Sequence, residues 1–276
     1  MTMHPEREAA ALSVDEVIAQ ACPSIHAAGS GYYSAPSTLA RGRELGLDGT
    51  VRTFYMIGRG GVLGDVDAAL VESSFGYFEP SYIEKAWNSV REIVSPAEGA
   101  RAYAQCCADV GRLALENASW VEEYCAAAST VIASADPVGL PMYAAYRVLP
   151  VAEDPAAQAM QLTVVLRELR GAVHLLAVRA CGLSGRNAHL AERPHMAASF
   201  GWSPDEVDSI TSADRDALRR SETMTDDLLK PAFGALDQAG ARALVDGSRL
   251  IFDALLAAGW GGPTRGWAQP SAATPQ

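Results

Sequence analysis

Hydrophobic residues recur at intervals of three and four along most of this chain, which is the spacing of one face of an α-helix. The clearest case runs from Asp154 to Gly182. Asp154 suits the N-cap, Pro155 suits the first turn, and Gly182 suits the position just after a helix ends. One apolar face follows the spacing: Leu162, Val165, Leu166, Leu169, Val173, Leu176 and Ala180. We therefore predict a long central helix over residues 154–182.

A second face of this helix is polar, because Thr163, Arg167, Arg170 and His174 also recur at four, three and four. Residues with this spacing are neighbours on a helix surface. The stripe has two interpretations, a solvated edge or a cationic wall over a cavity. A helix so rich in Leu and Val is expected to be central, which brings the stripe close to the interior.

The remaining chain also has helical spacing. Ser13 and Glu16 form a capping-box pattern that predicts a first helix, and Pro23 is expected to kink it just before His26. A break is expected near Asn117. Convincing strand alternation is absent, although a short β-ribbon near 209–211 stays open. The pattern predicts an all-α fold, a multi-helix bundle with one long central helix.

Five segments follow from the distribution of Pro, Gly and apolar residues over the 276 residues. We predict, in chain order, a disordered N-terminus (1–12), an N-terminal helical half (13–135), a Pro/Gly-rich connection (136–153), a C-terminal helical half (154–258) and a disordered tail (259–276).

Composition narrows the class of protein. Hydrophobic residues make up 49% and charged residues 20%, which is typical of a globular chain. The net charge of −11 opposes nucleic-acid binding, which depends on neutralising phosphates. No apolar run reaches the ~18 residues of a membrane span. The five cysteines lack a C-x-x-C pair and have apolar neighbours, which favours buried, reduced thiols in a cytoplasmic protein.

Motifs for metals and cofactors are weak. His189 and His195 have a spacing that suits no helical ligand pair, and no carboxylate cluster accompanies them. The stretch GRGGVLGD (58–65) follows no strand and lacks the Gly-Lys-Ser/Thr ending of a phosphate loop. A joint between closely approaching helices explains its glycines better. We predict neither a metal nor a cofactor.

Four stretches carry a resemblance to a known family: IHAAGSGYYSAPSTLARGRELGL, FEPSYIEKAWNSV, LRELRGAVHLLAVRACGLSG and ITSADRDALRRSETMTDDLLKPAFGAL. Together they span most of residues 14–258 and resemble an actinobacterial helix-turn-helix family. The resemblance implies an all-helical fold with a winged-helix-like portion towards the C-terminus. It implies no particular activity.

This sequence departs from that pattern between residues 201 and 214. Gly201–Val207 runs almost directly into Asp208–Thr211, which leaves little room for a recognition helix and a wing. The stretch carries acids but neither Lys nor Arg, whereas a winged helix meets phosphates with basic side chains. We therefore expect a degenerate winged-helix-like C-terminal part and no nucleic-acid partner.

The polar residues that remain suggest a small-molecule site. His26, His174 and Arg170 are candidate catalytic residues, since histidine transfers protons near neutral pH and arginine holds anions bidentately. Candidate substrate-binding residues are Tyr32, Tyr33, Arg59, Glu72 and Arg167. Each also has an ordinary structural explanation: His26 as a core histidine, the tyrosines as packing, and Glu72 as a partner of an arginine.

The main functional hypothesis is a cofactor-independent tailoring enzyme of specialised metabolism. It would transfer a proton, cyclise, eliminate or move a group on an anionic small-molecule substrate. A regulator or ligand-binding module derived from a winged-helix protein is the first alternative, and a noncatalytic partner subunit is the second. A homo-oligomer or a related partner subunit is part of this expectation, and a membrane partner is not.

Overall fold

The computed structural model describes residues 11–260, which form helices and no strand. The α-helices are α1 (Val14–Ala28), α2 (Pro36–Glu44), α3 (Val51–Gly60), α4 (Ala68–Phe75), α5 (Pro80–Arg91), α6 (Pro96–Ala114), α7 (Val121–Ser134), α8 (Pro141–Tyr146), α9 (Pro155–Ala180), α10 (Gly185–Glu192), α11 (Ser212–Phe233) and α12 (Gln238–Ala257). Short 3₁₀ helices occupy Gly31–Ser34, Gly61–Leu63, Pro194–Phe200 and Pro204–Ser209. The predicted all-α fold is confirmed, and residues 209–211 form no β-ribbon.

Local capping explains where the best-predicted helices begin. The Ser13 side chain accepts from the Glu16 amide while Glu16 accepts from Ser13, so α1 starts with the expected capping box. Asp154 accepts from the Ala157 amide at the start of α9. Helix α1 continues through Pro23 to Ala28. His26 therefore lies in the last turn of α1, after Pro23.

Local polar groups set other helix boundaries as well. Helix α3 starts at Val51, since the Thr50 hydroxyl caps it by accepting from the Thr53 amide. The break between α6 and α7 falls where expected, and Asn117 has the positive φ of 63° that ends a helix.

The glycines of the 58–65 stretch permit close contact between helices. A Cβ atom at Gly58 would overlap the Tyr103 ring, and one at Gly61 would overlap the backbone carbonyl of Pro96. Both neighbours lie on α6, so α3 and α6 approach at the distance that only glycine allows. This supports the helix-joint interpretation of these glycines.

Helix α9 is the centre of the bundle, with α1, α6, α7, α8 and α11 packed around it. Its predicted apolar face is buried from Leu162 to Val173, but Leu176 is 49% exposed. In the last turns Ala177 and Val178 are buried instead. The buried face rotates there because Val178 packs in a separate cluster. Its partners are Leu183 of the connection that follows α9, Ala188 of α10 and Ala217 of α11.

Side chains from both predicted halves enter one main hydrophobic core, although the division itself stays a prediction. The proposed disordered ends fall largely outside the described residues. Among the described residues of these ends, the Leu12 backbone exchanges two hydrogen bonds with the Gln238 side chain. The Trp260 amide donates to the Leu255 carbonyl. These bonds tie Leu12 and Trp260 to α12 and its C-terminal end.

Between α10 and α11 the chain forms two 3₁₀ helices and no strand, so the winged-helix detail is not visible there. In the part that the structure describes, no helix is both long enough and apolar enough to cross a membrane.

Candidate functional site

A cavity of about 130 Å³ lies beside the C-terminal half of α9. Helix α9 contributes Arg167, Arg170 and His174, while α1 contributes His26 and α3 contributes Arg59. These five residues were proposed from the sequence for one site, and the fold brings them to one cavity. Their chemical roles are not tested by this arrangement.

The deepest polar contact joins Arg59 to Glu168. Arg59 Nε donates to both Glu168 carboxylate oxygens at 3.1 and 3.2 Å, and Nη2 donates to Oε2 at 2.7 Å. Arg167 Nη1 lies 3.2 Å from Glu168 Oε1. The Glu168 carboxylate therefore contacts two guanidinium groups, one from α3 and one from its own neighbour in the chain.

Burial acts to raise the pKa of Glu168, but Arg59 and Arg167 outweigh it and hold the pKa below its usual value. Glu168 is 1% exposed. The carboxylate is consequently ionised and shared by two guanidinium groups, which satisfies three buried charges together.

Arg167 also ties α9 to the N-terminal helices. Its Nη1 donates to the Tyr33 hydroxyl at 3.2 Å, and its Nε donates to the His26 carbonyl at 3.2 Å. Gly29 leaves the space for this side chain, since a Cβ there would lie 2.6 Å from Arg167 Cδ. A larger residue at position 29 would displace Arg167 from the cavity wall.

Arg170 and His174 meet a carboxylate from α11. Arg170 Nη2 donates to Glu222 Oε2 at 2.7 Å, and His174 Nε2 lies 3.6 Å from Glu222 Oε1. On the other side of the ring, Thr225 Oγ1 lies 3.1 Å from Nδ1 and donates its own proton to the Ser221 carbonyl. The His174 ring is therefore held between two groups of α11, Glu222 at Nε2 and Thr225 at Nδ1.

Burial lowers the pKa of His174, and this effect outweighs Glu222, which acts to raise it. Burial, aided by Arg167 and Arg193, lowers the pKa of His26 well below its usual value. Arg193 Nη2 lies 3.2 Å from His26 Nε2. Since arginine only donates, the Nε2 lone pair of His26 accepts this bond and is not open to a substrate proton in this arrangement.

Two other predicted residues lie next to the cavity wall or behind it. Tyr33 reaches the site through its bond to Arg167, whereas Tyr32 packs against Tyr103 with a ring-centroid distance of 4.8 Å. The placement of Tyr32 at the cavity is a correction: its ring is 1% exposed and forms part of an aromatic core.

Glu72 is a second correction. It lines a separate surface groove with Asp67, Glu79 and Glu84, not the cavity beside α9. The structure thus does not bring Glu72 to the cavity that holds the other candidates. The other acids of this groove come from the N-cap of α4, the N-cap of α5 and the first half of α5.

Several cavity residues were not singled out for the site by the sequence. Glu168, Glu192, Arg193 and Glu222 bring charge, and His189 with Tyr77 brings polar atoms. Their contacts could not be recognised in the sequence, because the partners are far apart in the chain. Arg193 contacts His26 across 167 positions, and Arg170 contacts Glu222 across 52. The aromatic run Phe75–Phe78 and the ArgProHis stretch at 193–195 were the available signals.

Two polar atoms of the cavity lining have no hydrogen-bond partner among the described residues. They are His189 Nε2 and the Tyr77 hydroxyl oxygen, and both atoms are buried. His189 donates to the Met196 backbone, and burial lowers its pKa to about 4. The imidazole is neutral near pH 7, so its Nε2 is a buried acceptor.

A larger groove of about 960 Å³ lies between α7 and α12, with small residues such as Ala126, Ala127 and Gly247 in its wall. Its charged residues are exposed or half-buried, and none is held in the interior. The ionisable groups with lowered pKa values and inward partners lie beside α9, so that cavity is the better candidate. Across residues 11–260, no group of three or more His, Cys, Asp or Glu could hold a metal ion.

The fold and the cavity define an all-α protein with a charged internal site on its central helix. The chain belongs to a helix-turn-helix family, whose sequence profile matches residues 18–261. No curated protein and no solved structure matches the chain. The predicted helix-turn-helix resemblance is confirmed at this level, while its actinobacterial assignment stays a prediction.

The family membership overturns one prediction. We expected no nucleic-acid partner from the net charge and the acidic 201–214 stretch, but a helix-turn-helix family points towards nucleic-acid binding. Net charge was a poor guide because a local basic surface can bind phosphates on an acidic protein. The match also favours the regulator hypothesis over the tailoring enzyme. The partner-subunit and homo-oligomer hypotheses stay predictions.

Proposed function

We propose that this protein is a ligand-binding regulator of the helix-turn-helix family, whose cavity beside α9 binds a small anion. The observation that carries the proposal is the charge of the described lining. Four arginines and three glutamates line the cavity, together with three histidines whose pKa values are lowered. Near pH 7 the lining thus holds an excess of positive charge, which a singly charged anion would neutralise in a partly dehydrated site.

The contact between α9 and α11 supplies a route from ligand to regulation. An anion that approaches Arg170 competes with Glu222 for the same guanidinium group. The Glu222 side chain is 42% exposed, so it can turn to water at small cost when displaced. Ligand binding would then loosen one of the ties that hold α11 against α9.

Helix α11 also carries exposed cations. Arg215, Arg219 and Arg220 are exposed and precede Glu222 by at most two helical turns. Arginine contacts to phosphates supply most of the sequence-independent affinity for nucleic acid. We therefore propose these three arginines as the phosphate-contacting cluster, with Glu222 as its link to the cavity.

Calorimetric titration with acetate, benzoate and inorganic phosphate tests the ligand half of the proposal. At least one anion should bind, and Arg170→Met or His174→Ala should weaken it about tenfold or more, which is ~1.4 kcal/mol. Arg249→Met is the matched control, since Arg249 is an exposed arginine of α12 that pairs with Asp253. Absence of binding, or an equal loss in the control, would contradict the proposal.

The regulatory half uses the same proteins in a mobility-shift assay with a mixed-sequence DNA duplex at low salt. The protein should shift the duplex, Arg215→Gln with Arg219→Gln should weaken the shift, and the anion that binds the cavity should change it. Arg170→Met should respond less to the anion. An anion effect of equal size in Arg170→Met would show simple competition with DNA phosphates and would defeat the coupling.

A further inference from the structure

We infer that the ligand of the cavity beside α9 is a small aromatic acid that carries a hydroxyl group. The inference rests on the proposed function, because it names the chemical class of the anion for the same site. Three features of the lining lead to it: aromatic walls around a small volume, an excess of positive charge, and buried polar atoms without partners.

The walls select a flat apolar ring. Phe75, Phe78 and Phe200 line the cavity, and the rings of Phe78 and Phe200 stack with centroids 4.2 Å apart. The Arg59 guanidinium lies 4.4 Å from the Phe75 ring centroid and keeps that face rigid. The cavity volume of about 130 Å³ is close to the ~150 Å³ of a cavity that accepts benzene. One substituted ring fits, and a larger metabolite does not.

The charges select a carboxylate. The cavity lining places Arg170 and Arg193 near two neutral histidines. Within residues 11–260, each arginine is paired with one carboxylate, Arg170 with Glu222 and Arg193 with Glu192. Both glutamates have substantially exposed side chains, so a ligand carboxylate can take up an arginine without stranding a buried charge. The buried Glu168 keeps Arg59 and Arg167 occupied and leaves them to shape the wall.

The hydroxyl group of the proposed ligand is inferred from the hydrogen bonding of His189. Its Nδ1 side is committed to the Met196 backbone, and its Nε2 is a buried acceptor without a partner in the described chain. An aromatic carboxylate alone offers no hydrogen to this atom, whereas a ring hydroxyl does. The Tyr77 hydroxyl is buried and unpartnered in the same lining and can donate to an oxygen of the ligand. A hydroxylated aromatic acid therefore satisfies both atoms, and leaving a buried polar group unpaired is unfavourable.

A titration of the wild-type protein with benzoate, the three hydroxybenzoate isomers, phenol and acetate tests the inference without any variant. At least one hydroxybenzoate should bind about tenfold tighter than benzoate, which corresponds to ~1.4 kcal/mol. Benzoate should bind tighter than acetate, because acetate lacks the ring. Phenol should bind weakly, because it lacks the carboxylate.

The variants then locate the hydroxyl. His189→Leu should reduce hydroxybenzoate affinity to that of benzoate and leave benzoate binding unchanged. Tyr103→Phe is the matched control: it removes another buried, unpartnered hydroxyl that lies outside this cavity, and it should change neither affinity.

Three results overturn the inference, and they differ in what they leave standing. Equal affinity for benzoate and every hydroxybenzoate would contradict the hydroxyl group proposed for the ligand. Acetate or phosphate could bind in a way that depends on Arg170 while no aromatic acid binds. This result would contradict an aromatic ligand and leave the proposed anion site intact. Absence of binding by every anion removes both the inference and the proposed function.

Discussion

The first half of α9 is more buried than the second, and the two halves satisfy their polar groups differently. In the first half, residues 155–166, Thr163 donates to the Ala159 carbonyl at 2.7 Å and lies 2.7 Å from the Tyr124 hydroxyl. In the second half, residues 167–180, Arg167, Glu168 and Arg170 are paired with residues of other helices or with each other.

This difference accounts for the position of the cavity. Small residues let the first half pack tightly; a Cβ on Gly111 of α6 would lie 2.6 Å from the Ala156 carbonyl. Long charged side chains prevent such close packing in the second half. Their partners must come from distant helices, since a buried charge is stable only when paired and hydrogen-bonded. The space between these pairs is the cavity.

The largest effect is expected from Glu168→Gln, which removes the central carboxylate of the second half of α9. The neutral amide leaves Arg59 and Arg167 with an uncompensated buried charge, so the free energy of unfolding should fall by about 3–5 kcal/mol. Urea denaturation measures this loss. Glu44→Gln is the control, because the exposed Arg41–Glu44 pair contributes at most ~1 kcal/mol. Equal losses in the two variants would show that the buried ion pair has no special weight.

An intermediate effect is expected from pH, and it comes from the histidines that line the cavity beside the second half of α9. The pKa of His189 falls from 6.5 in the unfolded chain to about 4 in the fold, and the pKa of His26 is lowered too. Between these values the unfolded state binds more protons than the folded state. The free energy of unfolding should therefore fall as pH drops below 6.5, by ~1.4 kcal/mol per pH unit for each fully buried histidine.

Urea denaturation at a series of pH values from about 7 to about 4 measures this slope. His189→Leu should make the slope shallower by about one proton. A wild-type slope that stays flat through this range, or one that His189→Leu leaves unaltered, would count against neutral burial of the histidine.

The smallest expected effect concerns the first half. Thr163→Val keeps the shape of the side chain but removes the partner of the buried Tyr124 hydroxyl, at a cost of about 1–3 kcal/mol. Adding Tyr124→Phe removes the unpaired hydroxyl as well and should restore part of the loss. If the double variant is as unstable as the sum of the two single variants, the two hydroxyls do not act as a pair.

The fold class and several helix ends could be predicted because they depend on local sequence. The cap at Asp154, the capping box at Ser13 and the break at Asn117 each act over a few residues. The central position of α9 followed from its Leu and Val content. The predicted apolar face failed only in its last turns, where Val178 packs with Ala188 and Ala217, which no local pattern specifies.

The candidate site was predictable only in part. The polar stripe of Arg167, Arg170 and His174 is a property of helical spacing, and the sequence by itself determined that these side chains share one face. Which groups meet that face was decided by the tertiary structure. Glu168 pairs with Arg59 of α3, and Arg170 pairs with Glu222, which lies 52 positions further along the chain on α11.

The same limit explains Tyr32 and Glu72, which the sequence placed at the site and the fold placed elsewhere. A sequence specifies which residues a helix presents together, because the backbone repeat is fixed. It does not specify which buried charges will meet, because that depends on how helices far apart in the chain pack and on the requirement that each buried charge find a partner.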